Sequence, residues 1–542
     1  MKLRIATLLA ALGLAMTSNA ATPAEIVTPA GKLRGAAADK VHAFKGIPYA
    51  VPPTGALRWK PPLPMPKWKG TRDATQAGPA CVQPKPRSNS IYAWDLGSIS
   101  EDCLTLNVWA PTGAQKAPVF VWIHGGALSS GAGSEPMYDG TRFAERGIVV
   151  VSINYRLGVL GFLAHPELSA ESRRNVSGNY GLLDQIAALR WVKTNIAAFG
   201  GDAANVTIAG ESAGGLSVMY LMAAPEARGL FHKALTQSAY MISAPELRTT
   251  TFGGVAAEPV GPWLAGKLGA GDLAALRSMD AVALTDGAAA AGFFPFFTID
   301  GRILPRQVIE AFDRGDQAKV PILAGFNSGE IRSLRALLPP APADSAEYEK
   351  RIRERYADLA DPFLAHYPAG NFAESMLATT RDALYGWTAE RLVTKQHAAG
   401  VPSYLYYFDH GYPAAEALGL HAFHASEIPY VFGTADRTPP RWPVVPGTPD
   451  EKKLSDAMLA YWAAFARSGA PSTADQPQWP AYGAERAYMA FEDAPKPKTH
   501  LLPGMYELNE KVVCRRRAKG GIPWHWNVGL ASPPLPPEAS CK

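Results

Sequence analysis

The chain has 542 residues, 47% of them hydrophobic and 19% charged, a composition that excludes general disorder and fits a globular protein with a large core. Its formal charge of +5 comes from 53 basic against 48 acidic residues, an excess too small and dispersed to indicate a nucleic-acid partner. The 50 Gly and 47 Pro imply extensive ordered loop.

At the start, Lys2 and Arg4 precede an apolar run over residues 5–16 and then Ser18-Asn19-Ala20, the basic, apolar and small-x-small parts of a secretory signal. Residues 1–20 are therefore expected to be a signal peptide cleaved near Ala20, with a periplasmic or secreted product. No other segment approaches the ~20 apolar residues of a spanning helix, so no membrane span is expected. Residues 21–542 read as a single catalytic domain with long insertions, ending in a tail from about residue 505. The dense basic run there, Lys511, Arg515, Arg516, Arg517 and Lys519, reads as solvated rather than as a binding arm. Four Cys in an exported chain predict two disulfides. Three pairings are open; the local one joins Cys81 with Cys103 and Cys514 with Cys541, each bridge contributing about 3–4 kcal/mol in the loop-entropy account.

Residues 26–50 read as short strands, and the Pro-rich stretch 51–66 as irregular surface. Residues 104–109, 119–123 and 148–154 are apolar or β-branched runs, as expected of central strands covered on both faces. Residues 181–199 carry helical spacing at Leu183, Ile186, Leu189 and Trp191. Later strands are expected at 320–325 and 403–408, while 246–297 and 344–394 have largely helical patterns and are candidate cap insertions. No internal repeat is visible.

The most informative segment is 199–214. A Phe-Gly-Gly turn leads into the strand-like Val206-Thr207-Ile208-Ala209, then Gly210-Glu211-Ser212-Ala213-Gly214, then an apolar helical run. That is the layout of a nucleophile elbow: a strained strand-to-helix turn presents the central Ser, and flanking glycines admit close backbone approach. Ser212 is the candidate nucleophile. It requires a general base, an acid to orient that base, and an oxyanion hole. The strand over 119–123 ends in His124-Gly125-Gly126-Ala127, whose bare backbone N–H groups at Gly125 and Gly126 can join the N–H of Ala213 as that hole. His124, directly before the Gly pair, reads as a structural hydrogen-bonding residue.

These motifs resemble those of the type-B carboxylesterases, the family of cholinesterases and bacterial p-nitrobenzyl esterases. The likeness rests on 199–214 and on Glu-Asp-Cys-Leu-Thr-Leu-Asn-Val-Trp-Ala-Pro at 101–111, and runs from about residue 31 to 491. It implies an α/β-hydrolase fold, with a central mostly parallel sheet, helices on both faces and helical cap insertions. It also implies ester hydrolysis through an acyl-enzyme, with no cofactor and no metal. The resemblance places the triad acid at Glu330, although Gly329 and Ile331 stand where the family usually has Asp and Gly. It places the base at His424 in His424-Ala425-Ser426-Glu427; on the residues alone, His421 and His424 are equal candidates. Two ion pairs follow from the same likeness, Arg58 with Glu101 and Arg156 with Asp184.

Specificity is less determined. Tyr92, Trp94 and the aromatic run 293–297, with Phe294, supply candidate apolar pocket surface. Arg332 and Arg335, with Lys85 and Arg87, supply cations suited to carboxylates. An exported type-B enzyme with cations at its gorge resembles the fumonisin esterases, so the expected partner is a small-molecule ester bearing free carboxylates or bulky apolar groups. A non-catalytic cholinesterase-like adhesion protein is the rival reading, and joint retention of Ser, Glu and His candidates argues against it. Either a monomer or a homodimer is compatible with the sequence.

Overall fold

Strands in which every residue is apolar or small need cover on both faces, and that requirement organises the molecule. In the computed structural model, which describes residues 24–85, 89–525 and 528–537, seven strands run parallel. In spatial order they are Val149–Ile153, Ala117–Ile123, Gly201–Glu211, Lys233–Gln237, Ile322–Asn327, Ser403–Phe408 and Ala487–Phe491. Antiparallel strands extend both edges: Thr105–Pro111 pairs with Val149–Ile153, and Pro495–Thr499 with Ala487–Phe491. The result is the α/β-hydrolase architecture. The expected signal segment 1–20, Arg87 and Cys541 lie outside the described residues, so the proposed Cys514–Cys541 bridge does too; Cys81 and Cys103 are joined.

Alternation along one strand sets the two layers. Val119, Val121 and Ile123 pack into one core while Phe120 and Trp122 enter another across the sheet. Helices Tyr180–Asn195, Ala213–Ala223 and Trp387–Ala398 cover the first face, and Pro449–Ser468 covers the second. Helix Ala213–Ala223 is buried along its whole length, which its all-round apolar sequence requires.

Element edges differ from expectation for local reasons. The strand expected at 320–325 spans Ile322–Asn327, because Pro321 has no N–H for the ladder. The helix expected at 181–199 ends at Asn195 and tightens into a 3-10 turn over Ile196–Phe199. Both insertions are helical, with Val260–Lys267, Leu273–Ser278 and Ala281–Ala290 in the first. The second runs through Ser345–Tyr356, Phe372–Arg381 and Trp387–Ala398. One expectation is overturned in part. The basic run is only partly solvated: it lies in the helix Met505–Lys519 with Lys511 and Lys519 exposed, while buried Arg515 pairs with Asp358 through two 2.7 Å bonds and buried Arg516 donates to the Pro533 carbonyl. Among the described residues no helix is long and apolar enough to cross a membrane.

Candidate active site

Ser212 joins the strand Gly201–Glu211 to the helix Ala213–Ala223 with φ 56° and ψ −121°, a conformation a side-chain-bearing residue holds only under constraint. The constraint is visible. Ser212 N donates to the Gln237 carbonyl at 2.9 Å and its own carbonyl accepts from Leu216 N at 2.8 Å. A Cβ at Gly214 would stand 2.0 Å from the Ile123 carbonyl oxygen, and one at Gly125 would stand 2.8 Å from the Glu211 carbonyl. Both glycines are therefore dictated by close backbone passage. Ser212 is half-buried between fully buried neighbours, and its side chain is presented at the surface of the elbow.

The strand Ala117–Ile123 delivers the adjacent loop. Gly126, Ala127 and Leu128 all have positive φ, and the turn closes through Ser129 N and Ser130 N donating to the Gly126 carbonyl at 2.9 and 3.0 Å. Ala213 heads its helix, so its N–H belongs to the first turn, which has no intrahelical acceptors. His124 is buried, its ring stacked on Tyr155 at 4.6 Å and its Nδ1 2.9 Å from the Gly125 carbonyl oxygen. Burial drives its pKa down to about 4. It is a neutral prop for the loop.

Glu330 sits in the turn directly after the strand Ile322–Asn327, fully buried. One oxygen accepts from Asn327 N at 2.8 Å and the other meets His424 Nδ1. His424 is itself held by Tyr385, whose ring lies 5.3 Å away, and by Tyr92, whose hydroxyl donates to the His424 carbonyl at 3.0 Å. Tyr385 lies on a π-helical turn, Asp382–Gly386, between two α-helices. The free face of the imidazole, at Nε2, is 3.1 Å from Glu211 Oε1, ion-pair distance without hydrogen-bond alignment. Burial pushes His424 down, but Glu211 and Glu330 outweigh it and raise its pKa to about 9. Burial raises Glu211 to about 8, against the pull of His424. Glu427, also buried, is raised by burial and accepts from Gln237 and Asn327 side chains.

Sequence reasoning named Ser212, Glu330 and His424, and missed Glu211 and Glu427. Glu211 was available inside the Gly-x-Ser-x-Gly segment as the residue before the nucleophile. Tyr385 carried no sequence signal, because its position depends on the π turn. His421 does not reach this cluster; its ring lies between Asp409 and Glu416.

An apolar pocket opens beside the elbow, lined by Leu128, Leu216, Tyr240, Ile242 and the segment 294–297. Phe294 forms its rim and is 56% exposed. Trp94 is half-buried against the core on the other side of the sheet. Arg332 pairs with Glu374 at 2.7 Å, Arg335 and Lys85 are exposed, and the structure draws none of the three into a contact with Ser212. Away from the site, Arg58 meets Glu101 at 2.7 and 2.6 Å, and Arg156 meets Asp184 at 2.8 and 2.7 Å. Among the described residues no group of three or more His, Cys, Asp or Glu is arranged to hold a metal ion.

The chain matches the carboxylesterase family over residues 22–507. It is 37% identical over 487 residues to the fumonisin B1 esterase of Sphingopyxis macrogoltabida, covering 86% of this chain and 85% of that protein. Identity to the para-nitrobenzyl esterase of Bacillus subtilis (strain 168) is 36% over 480 residues, covering 85% and 93%. Among solved structures, a PNB esterase superposes with a TM-score of 0.76 at 33% identity, covering 89% of this chain and 99% of that one. The Geobacillus stearothermophilus carboxylesterase does so with a TM-score of 0.74 at 36% identity, covering 89% and 99%.

Proposed function

The chain belongs to the carboxylesterase family and is a serine carboxylic-ester hydrolase, and from that premise we propose that Ser212, His424 and Glu330 carry out its acyl transfer. The observation that supports this reading is the buried contact between His424 Nδ1 and Glu330, with Nε2 on the other side of the ring 3.1 Å from Glu211, the residue before Ser212. Ser212 Oγ attacks the ester carbonyl as His424 Nε2 takes its proton. The N–H groups of Gly125, Gly126 and Ala213 receive the oxyanion, and their fixed placement supplies stabilisation without reorganisation. Collapse of the tetrahedral species returns the proton from His424 to the leaving alkoxide. Water then repeats the cycle on the acyl-enzyme, and Glu330 holds the imidazole tautomer throughout.

The substrate follows from two features. The apolar lining of the small pocket by Leu216, with Phe294 at its mouth, supports an apolar group on the ester. Likeness to a fumonisin B1 esterase at 37% identity supports an ester that also bears free carboxylates, with Arg332 and Arg335 as the receiving cations. Glu374 competes for Arg332, so carboxylate binding there exchanges one partner for another. Export after cleavage near Ala20 is part of the same proposal, supported by the Cys81–Cys103 disulfide, a bond typical of oxidising compartments.

Ser212→Ala tests the assignment. The variant is expected to fold normally, to resist labelling by an organophosphonate, and to lose ~10⁴-fold or more in kcat. Acylation of that variant at the wild-type rate by a chromogenic ester would remove Ser212 from the mechanism.

A further inference from the structure

His424 reaches the site on a long return from the strand Ser403–Phe408, and the course of that return is set three residues earlier. His421 has φ 51°, a left-handed conformation that its surroundings must impose. Its Nε2 lies 2.9 Å from Asp409 Oδ1, at the strand end, and its Nδ1 meets Glu416 on the helix Pro413–Ala417. Gly411 makes room for this: a Cβ there would overlap Glu416 and stand 2.5 Å from His421 Nδ1. A carboxylate only accepts, and a neutral imidazole has a single N–H. Both contacts are hydrogen bonds only when the ring is imidazolium.

The segment just beyond His421 is stitched to the loop that bears Glu330. Gly329 N donates to the Ala422 carbonyl at 2.8 Å, and Asn327 Nδ2 to the Phe423 carbonyl at 2.9 Å. Phe423 N in turn donates to the His421 carbonyl at 3.0 Å. Displacing His421 therefore displaces the backbone that registers His424 against Glu330.

We propose that His421, doubly protonated between Asp409 and Glu416, is a positioning residue for the ester hydrolysis, a cationic clamp that aims His424. The inference rests on the reading of His424 as general base. Its charged surroundings are Asp409 and Glu416 in contact, with Arg381 acting on Asp409 from the helix Phe372–Arg381 and Lys498 from the strand Pro495–Thr499. The Asp409 bond, against burial and with Glu416, holds His421 above the ordinary imidazole range. The clamp is thus complete below the ordinary value and is lost as pH rises through the raised one. It predicts a fall in kcat on the alkaline side with little change in KM.

The test is kcat and KM against pH for a neutral chromogenic ester, in wild type, His421→Gln, His421→Lys, Glu416→Gln and His424→Ala. Since misplacing a reacting group by ~1 Å costs on the order of 100-fold, His421→Gln is expected to lose about tenfold or more in kcat at neutral pH, with KM within about twofold. His421→Lys keeps a cation and is expected to restore most of kcat and to erase the alkaline fall. Glu416 is half exposed, so Glu416→Gln tests the clamp without threatening the fold; its alkaline limb is expected to move to lower pH. Wild-type kcat in His421→Gln, a Lys variant no better than Gln, or an unmoved limb in Glu416→Gln would each overturn the clamp. His424→Ala separates the two readings: if it retains activity the general-base assignment has failed, whereas its inactivity beside a normal His421→Gln refutes the clamp alone.

Discussion

Replacing Glu211 by Gln removes one charge from the immediate neighbourhood of His424 while preserving side-chain size. Glu211 Oε1 and His424 Nε2 are 3.1 Å apart, with side chains 5% and 8% exposed. Coulomb's law at an effective dielectric near 20 gives an attraction of about 5 kcal/mol at that separation, close to four pH units if all of it acted on the imidazole. Not all of it acts, because burial raises the Glu211 pKa to about 8 and leaves the carboxyl largely protonated near neutrality. A shift of about one to two units is the expected remainder. Its direction is fixed: a general base must be neutral to accept a proton, and the carboxylate stabilises the imidazolium, so losing the charge lowers the pH at which His424 becomes competent. The acidic limb of kcat/KM, which His424 as the proposed general base would set from a pKa raised to about 9, should move toward the ordinary imidazole value of about 6.5. The assay is kcat/KM between pH 5 and 10 on an uncharged chromogenic ester, which does not itself titrate. A limb that stays within 0.3 unit, on the order of experimental scatter, or moves upward would refute the electrostatic account of His424.

Two further outcomes are expected. Asp184→Asn strands the Arg156 guanidinium, which is 4% exposed against a fully buried partner, and should cost about 3–5 kcal/mol of stability, read as a lower urea midpoint with an unchanged slope; a loss below about 1 kcal/mol would show the pair to be dispensable. For substrate charge, kcat/KM for a tricarballylate monoester should exceed that of a neutral analogue about tenfold, the worth of a partly buried charge-assisted contact. Glu374→Gln, which frees Arg332, should widen that preference, while Arg332→Ala with Arg335→Ala should abolish it. A preference below about twofold, or one untouched by the double substitution, would leave only an exposed pair worth about 0–1 kcal/mol and a general apolar-ester enzyme.

What could be read from the sequence is what local backbone geometry dictates. Ser212 needs a strained turn, and the turn needs Gly214 because the Ile123 carbonyl passes where a Cβ would sit; the strand before and the helix after follow from their own periodicity. Pocket aromatics were legible as composition, although only the fold brings Phe294 to the same cavity as Leu128 and Leu216. Arg516 was misread because its burial depends on a carbonyl contributed by Pro533 and on the docking of a whole helix, neither of which leaves a local signal. Tyr385 was invisible for a similar reason: one extra residue in a helical turn decides which way its ring faces.

The electrostatic field at the site belongs to this second class. Glu211 ends one central strand, Glu330 follows the end of another, and Glu427 lies three residues past His424 on a returning loop. Each is an unremarkable carboxylate in its own stretch of sequence. A parallel sheet brings all strand ends to one edge, where ligands gather in this class of fold, and there the three converge on a single imidazole. Convergence makes the acids act on one another as well: Glu427 and Glu330 both raise Glu211, and Glu330 raises Glu427. Burial and this mutual repulsion favour the protonated forms of Glu211 and Glu427. Convergence on His424 is why removing the charge of Glu211, which touches neither the ester nor the triad acid, is expected to reset the pH at which Ser212 becomes a nucleophile.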